Sequence, residues 1–211
     1  IDTMKLFAKK GICTTAYDKK TREELGEVCA QLEACGVKLC LGEDYLAHID
    51  DDMVFRTPGM PFFHPVLTQL RQRGRSVVSE MEVFCDLCPG KLYAVTGSDG
   101  KTTTTTVMAK MLELSGKKVF LGGNIGRALL PLIEEISYED AAVVELSSFQ
   151  LISMRKSPDV AVITNIAPNH LDVHKDMNEY IEAKENIFLH QNGFGRAVFN
   201  LDNDITRALS H

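Results

Sequence analysis

No apolar run in the 211-residue chain approaches the ~18 residues of a membrane-spanning helix. The N-terminus lacks the charged and apolar succession of a signal peptide. A basic excess is missing too: the formal net charge is -6, which is not the surface a nucleic acid selects. That balance leaves room for a local basic pocket suited to phosphates. A second C-x-x-C pair is also absent. Cys85 and Cys88 stand alone, in a stretch (81–87) that reads as a helix end before Pro89, so a zinc or redox role is set aside. The six cysteines, at 13, 29, 35, 40, 85 and 88, mostly fall in apolar-periodic segments, where a free thiol behaves as a small hydrophobe. Together these features lead us to expect a reducing cytoplasm and no membrane or nucleic-acid partner. Hydrophobic residues at 45% and charged residues at 25% suit a packed core, and the length suits one large or two small domains.

One unit recurs along the chain. An amphipathic stretch ends at a glycine, and a short apolar strand follows: 25–35, Gly36, 37–40; 65–73, Gly74, 77–78; 102–115, Gly116, 119–121. Glycine just past a helix supplies the left-handed cap. Helices alternating with short apolar strands imply a parallel sheet covered on both faces. The continuous apolar runs 141–144 and 160–163 are what such strands need.

The linker 88–91 marks an expected boundary. Residues 1–89 read as a Rossmann-like domain without its first strand and glycine turn, opening on a helical pattern (Met4, Phe7, Ala8) before a strand over 12–17. Residues 90–211 read as a P-loop-type, parallel-sheet nucleotide domain that stops early, with a strand at 197–200 and a helix begun at 205–209. The class is therefore α/β, in a segment cut from a longer protein.

The stretch 94–103 is the most informative. An apolar strand enters Gly97-Ser98-Asp99-Gly100-Lys101-Thr102-Thr103, and a helix follows. Glycines let backbone N–H groups turn toward anionic oxygens, and the helix N-terminus adds orphan donors and partial positive charge. Lys101 can reach the β- and γ-phosphates of a nucleotide triphosphate, and the Thr102 hydroxyl can reach Mg²⁺. The spacing, G-x-x-G-K-T, is shorter than the usual phosphate-loop pattern, with Val95 where that pattern has its first glycine. The five-threonine run from Thr102 to Thr106 has poor helix propensity, so packing or bound phosphate has to compensate.

Three downstream features stay open on residues alone. Glu145, at a strand's carboxyl end, is either a Mg²⁺ ligand or a solvated acid. His170 and His174, four apart, read better as part of a polar site than as a zinc pair or a bland loop. Lys184, inside an amphipathic helix over 178–189, reads as an ordinary surface lysine.

Taken in order, the motifs resemble the Mur ligase family. The segment 96–102 is similar to its T-G-[ST]-N-G-K-[ST], with Asp99 where the family usually has Asn. Gly122-Gly123-Asn124-Ile125-Gly126, Glu145-Leu146-Ser147-Ser148-Phe149-Gln150-Leu151, Asn165 through His170-Leu171-Asp172, and Ala183-Lys184 follow. The E-L-S-S-F-Q-L stretch resembles the D-glutamate-adding branch.

The resemblance implies an ATP- and Mg²⁺-dependent amide ligase of peptidoglycan precursor synthesis, acting as a monomer on UDP-N-acetylmuramoyl-L-alanine and D-glutamate through an acyl phosphate. It implies catalytic roles for Lys101, Glu145, His170 and Lys184, the last as a carbamate. Gly97 to Thr103 would hold the nucleotide, and Thr102, Glu145, His170 and Lys184 the metal ions. Asn124, Ser147, Gln150 and His170 would meet the muramoyl-alanine end, Asp18 the uracil, and Thr57-Pro58-Gly59 the uridine diphosphate. Lys19 and Lys20 depart from the family's Thr-Arg pair. The segment alone is expected to be inactive. Rival readings are another ligase on this scaffold, including a folylpolyglutamate-type enzyme, or a nucleotide-binding module without chemistry.

Overall fold

A computed structural model of the chain describes residues 1–168 and 174–211. The chain divides into two compact units, Ile1–Val54 with Phe63–Val77, and Phe55–Phe62 with Val78–His211.

The first unit opens with α1 (Asp2–Lys9), β1 (Thr15–Asp18), α2 (Arg22–Leu25), α3 (Glu27–Ala34) and β2 (Lys38–Leu41). β1 and β2 pair in parallel, Thr15 opposite Lys38 and Asp18 opposite Leu41. Their core is Ala16, Leu32 and Val37, with Met4, Ala8, Val28 and Leu39 packed around it. Two expectations shift here. The first strand begins at Thr15 rather than at residue 12. The helix expected over 25–35 runs from Glu27 to Ala34, set off from the short α2 by Gly26, whose φ of 56° belongs to glycine. Thr21 and Glu24 close a capping box on α2. Next come β3 (Met53–Phe55), α4 (Pro65–Gln72) and β4 (Ser76–Val78), with β3 and β4 forming a second two-stranded sheet. Proline at the first turn and Gly74 past the end delimit α4, which buries Leu67 and Leu70.

The second unit holds α5 (Glu80–Leu87), β5 (Lys91–Thr96), α6 (Lys101–Leu114), β6 (Val119–Gly123), β7 (Ala141–Glu145), α7 (Ser148–Leu151), β8 (Val160–Ile163), α8 (Met177–Glu185), β9 (Arg196–Phe199) and α9 (Asp204–Leu209). Its five strands form one parallel sheet in the order β6-β7-β5-β8-β9. β7 is buried at every residue, as its unbroken apolar run requires. Division by compactness puts α5 here, whereas the sequence reading drew its boundary after it, at residue 89. α5 buries Met81, Phe84 and Cys85, and Ser153 on this unit donates to Glu82 of α5 at 2.8 Å.

Register then assembles the site. β5 is central, flanked by β7 and β8, and the chain leaves it for β6 and β7 on one side before returning to β8 on the other. Gly123 lies opposite Glu145, Val95 opposite Glu145, and Thr96 opposite Ile163. The carboxyl ends of four strands therefore converge, at the switch point where open α/β sheets bind ligands.

Candidate active site

The loop after β5 is shaped by close approach. A Cβ on Gly97 would lie 1.9 Å from Thr164 Oγ1 and 3.0 Å from the Asn165 carbonyl, so only glycine fits. Gly100, at φ 76°, turns the chain into α6 and leaves that helix without a side-chain cap. The first-turn N–H groups at Lys101, Thr102 and Thr103 have no carbonyl of their own helix to bond, the arrangement that receives anions. Lys101 Nζ donates to the Ser98 carbonyl at 2.9 Å and lies over the same turn. The threonine run is accommodated locally. Thr105 and Thr106 bond the carbonyls four residues back, at 2.8 and 2.7 Å, and Thr105 is buried with Ala109.

Glu145 is only 1% exposed, which overturns the reading of a solvated strand-end acid. Thr102 Oγ1 donates to its Oε2 at 2.6 Å, and Asn124 Nδ2 donates to its Oε1 at 2.9 Å. Asn124 is itself fixed by its N–H on the Glu145 carbonyl at 2.8 Å. Gly123 is needed there, since a Cβ would meet that carbonyl at 2.2 Å. Among the described residues no three His, Cys, Asp or Glu side chains cluster as a metal site. Mg²⁺ needs fewer, because it keeps waters and takes one or two protein oxygens beside substrate phosphates. The Thr102 hydroxyl and Glu145 carboxylate are such oxygens and fit that ion.

Lys184 is 2% exposed, so the reading of a surface lysine is wrong. α8 buries Tyr180, Ala183 and Lys184, so the lysine shares the helix's apolar face. Lys184 Nζ donates to the Gly97 carbonyl at 2.9 Å and to Thr96 Oγ1 at 3.3 Å, and it lies 4.6 Å from the centre of the Tyr180 ring. Burial, then the neighbouring Lys101 charge, lowers its pKa to about 7, against a smaller opposing pull from Glu145. An amine whose proton is lost this readily has a free lone pair in part of its population near neutral pH, which is what reaction with CO₂ demands.

His170 lies outside the described residues. His174 is buried, with Nδ1 3.0 Å from Glu179 Oε1 and Nε2 2.8 Å from Ser148 Oγ. The carboxylate can only accept, so Nδ1 carries the hydrogen, and Nε2 shares the second bond with the Ser148 hydroxyl. Both nitrogens are used, which leaves no lone pair for a metal. Ser147 and Gln150 bond one another across the first turn of α7, at 3.0 to 3.3 Å.

In the first unit Asp18 ends β1, and its carboxylate accepts from the Lys20 N–H at 2.9 Å. A cleft of about 290 Å³ near the carboxyl end of β2 is lined by Thr21, Arg22, Leu39, Leu41 and Gly42. The sequence reading missed these residues, although strand ends were the signal to search. In the second unit Thr57, Pro58 and Gly59 form an exposed turn closed by Met60 N–H on the Thr57 carbonyl, 3.0 Å. Arg56 anchors that segment to the Phe149 carbonyl of α7. All six cysteines are free, and burial raises the thiol pKa values of Cys85 and Cys88, which makes them poor nucleophiles.

Parallel sheet, glycine turn, lysine and buried carboxylate define a P-loop-like α/β nucleotide-binding fold. The model of the Mur ligase middle domain matches residues 95–211. The chain belongs to the Mur ligase family. It is 50% identical over 203 residues to a UDP-N-acetylmuramoylalanine–D-glutamate ligase of Clostridium kluyveri, covering 96% of this chain and 44% of that protein. It is 53% identical over 198 residues to the enzyme of that name from Acetivibrio thermocellus, covering 93% and 42%. The chain thus spans just under half the length of these relatives. A solved UDP-N-acetylmuramate:L-alanyl-gamma-D-glutamyl-meso-diaminopimelate ligase from Neisseria meningitides shares the fold, with a TM-score of 0.61 at 18% identity over 98% of this chain and 69% of that one.

Proposed function

We propose that this chain is the nucleotide-handling part of an ATP-dependent amide ligase that joins D-glutamate to UDP-N-acetylmuramoyl-L-alanine in the cytoplasm, for peptidoglycan precursor synthesis. The observation that carries this reading is the convergence of Lys101, the Thr102–Glu145–Asn124 cluster and buried Lys184 around one glycine turn. The name of the relatives supplies the substrates.

In this reading the chain's groups divide the work. Lys101 and the first-turn amides of α6 bind and orient the triphosphate, and they concentrate positive charge where charge develops during phosphoryl transfer to the substrate carboxylate. Thr102, Glu145, His170 and Lys184 are the groups that would hold Mg²⁺, with Lys184 as a carbamate to supply the oxygen a hard cation prefers. Bound there, the metal would neutralise phosphate charge and fix the γ-phosphoryl group in line. Asn124, Ser147, Gln150 and His170 would hold the L-alanyl end. In the first unit Asp18, beside its cleft, would meet the uracil; in the second, the Thr57–Gly59 turn would meet the diphosphate or uridine.

The test is phosphate release by the full-length protein with ATP, Mg²⁺ and UDP-N-acetylmuramoyl-L-alanine, surveyed over candidate amines. Stimulation by D-glutamate alone, with an amide product, is the expected result. Stimulation by a different amino acid would move the protein to another ligase, and tight ATP binding without turnover would make it a binding module.

A further inference from the structure

The phosphate loop is built against a template, and the template is Asn165. The Ser98 N–H is shared between the Asn165 backbone carbonyl at 2.9 Å and its side-chain Oδ1 at 3.1 Å. The Asp99 N–H bonds the same Oδ1 at 2.9 Å. The neighbouring Thr164 completes the contact, its hydroxyl donating to the Asp99 carbonyl at 2.6 Å and to the Thr96 carbonyl at 3.2 Å. Gly97 is the residue that lets these two segments touch. Ser98 Oγ then accepts the Ala167 N–H and donates to the Ala167 carbonyl, both at 2.9 Å.

These contacts decide which amides face a nucleotide. Backbone N–H groups early in a phosphate loop commonly point at anionic oxygens. Here the Ser98 and Asp99 N–H groups are taken by neutral oxygens of Asn165, which leaves Gly100 and the first turn of α6 as the anion cradle beyond them. We infer that Asn165 is a positioning residue for nucleotide binding. It pins the loop through Ser98 and Asp99 and so directs the phosphates onto α6. This inference rests on the phosphate-loop reading above. Neutrality matters as much as the acceptor. An aspartate could accept both N–H groups, but it would set a negative charge against the phosphates, close to Asp99.

Two variants separate acceptor from charge. Asn165→Ala removes Oδ1 and leaves the backbone carbonyl, so the Ser98 amide keeps one partner while the Asp99 amide loses the one described here. Asn165→Asp keeps the acceptor and adds the charge. The first measurement is amide hydrogen exchange at Asp99 in the protein without nucleotide. Exchange about tenfold faster in Asn165→Ala, for the loss of one hydrogen bond, and unchanged in Asn165→Asp is expected. The second is the affinity for a non-hydrolysable ATP analogue, expected to fall about tenfold in both variants. Equal Asp99 protection in wild type and Asn165→Ala overturns the proposal, as does wild-type nucleotide affinity in Asn165→Asp. If the wild type binds no nucleotide, the phosphate-loop reading fails instead, and the exchange result still decides whether Asn165 pins the loop. If Asn165→Ala does not fold, Asn165→Asp carries both measurements: fast Asp99 exchange or undiminished affinity in that variant overturns the proposal.

Discussion

Lys184 and Gly97 are joined by a hydrogen bond from the amine to the loop carbonyl, 2.9 Å long and buried, across 87 positions of sequence. It holds a lysine whose proton is easily lost, since its pKa is lowered to about 7 from 10.5. The sign of the linkage follows. Between those two values the unfolded chain binds a proton that the native state does not, so this residue's contribution rises with pH across that window. It is fully favourable above 10.5 and least favourable below 7. Relative to Lys184→Met, the unfolding free energy of wild type in CO₂-free buffer should therefore rise as pH goes from 7 toward 10.5, by at most about 1.4 kcal/mol per unit. A pH-independent difference would mean that Lys184 titrates normally.

Lys101 contributes charge to the loop and little to the core. Lys101→Ala should keep the fold and weaken ATP-analogue binding by one to two orders of magnitude, from loss of a charge-assisted contact of about 1.5–3 kcal/mol. Isothermal titration beside a thermal unfolding curve checks both halves. Undiminished affinity in a folded variant would remove Lys101 from the nucleotide site.

Glu145 is the buried carboxylate on which the metal reading depends. Glu145→Gln retains the shape and one acceptor oxygen but loses the charge a divalent cation needs. In wild type, Mg²⁺ should tighten binding of an ATP analogue; in the variant that gain should shrink by about tenfold, near 1.4 kcal/mol. Titration with and without chelator gives the ratio. An intact Mg²⁺ effect would send the ion elsewhere.

How much of this was legible depended on whether neighbours in space were neighbours in sequence. The glycine turn with Lys101 and Thr102 is contiguous, so its geometry could be read from spacing, and the caps at Gly36, Gly74 and Gly116 fell where expected. Glu145 stayed ambiguous because its partner Thr102 lies 43 positions away, and strand-end position alone does not distinguish a ligand from a solvated acid. Lys184 was misread from its residue type, since lysines are mostly exterior, although helical spacing sets it on the face of Tyr180 and Ile187; only the fold reveals that this face meets the loop. Asn165 stood out only as the start of a family motif; its bonds to Ser98 and Asp99, 67 and 66 positions away, gave no local sign. The cleft beside Asp18 was invisible for the same reason: its lining comes from two separated segments.

Gly97 offers a steric test. Gly97→Ala places a methyl group on the Thr164 hydroxyl and near the Asn165 carbonyl, at a φ of 151° that side chains rarely adopt. The combined cost should be about 3 kcal/mol. Thr164→Ala in the same chain should recover only part of it, because the backbone carbonyl and the unfavourable φ remain. Unfolding midpoints of the two single variants and the double measure the recovery; full recovery would place all the strain on Thr164.

His174 resembles a catalytic histidine in its partners but not in its access. Glu179, His174 and Ser148 form a serine–histidine–carboxylate line, with separations of 3.0 and 2.8 Å. Ser148 is 2% exposed and His174 4%, so no substrate reaches the hydroxyl, and the arrangement serves to join α7 to α8. The ring is stacked on Phe149 at 5.2 Å and set edge-on to Tyr180 at 5.3 Å, and Tyr180 in turn faces Lys184. His174→Phe preserves the aromatic packing while leaving the Ser148 hydroxyl and Glu179 carboxylate short of a partner, at a cost of about 2 kcal/mol. Adding Ser148→Ala removes one of those stranded groups and should restore about 1 kcal/mol, a coupling that a double-mutant cycle reads directly. Strict additivity of the two substitutions would show that the hydrogen bond contributes nothing and that packing alone holds the two helices together.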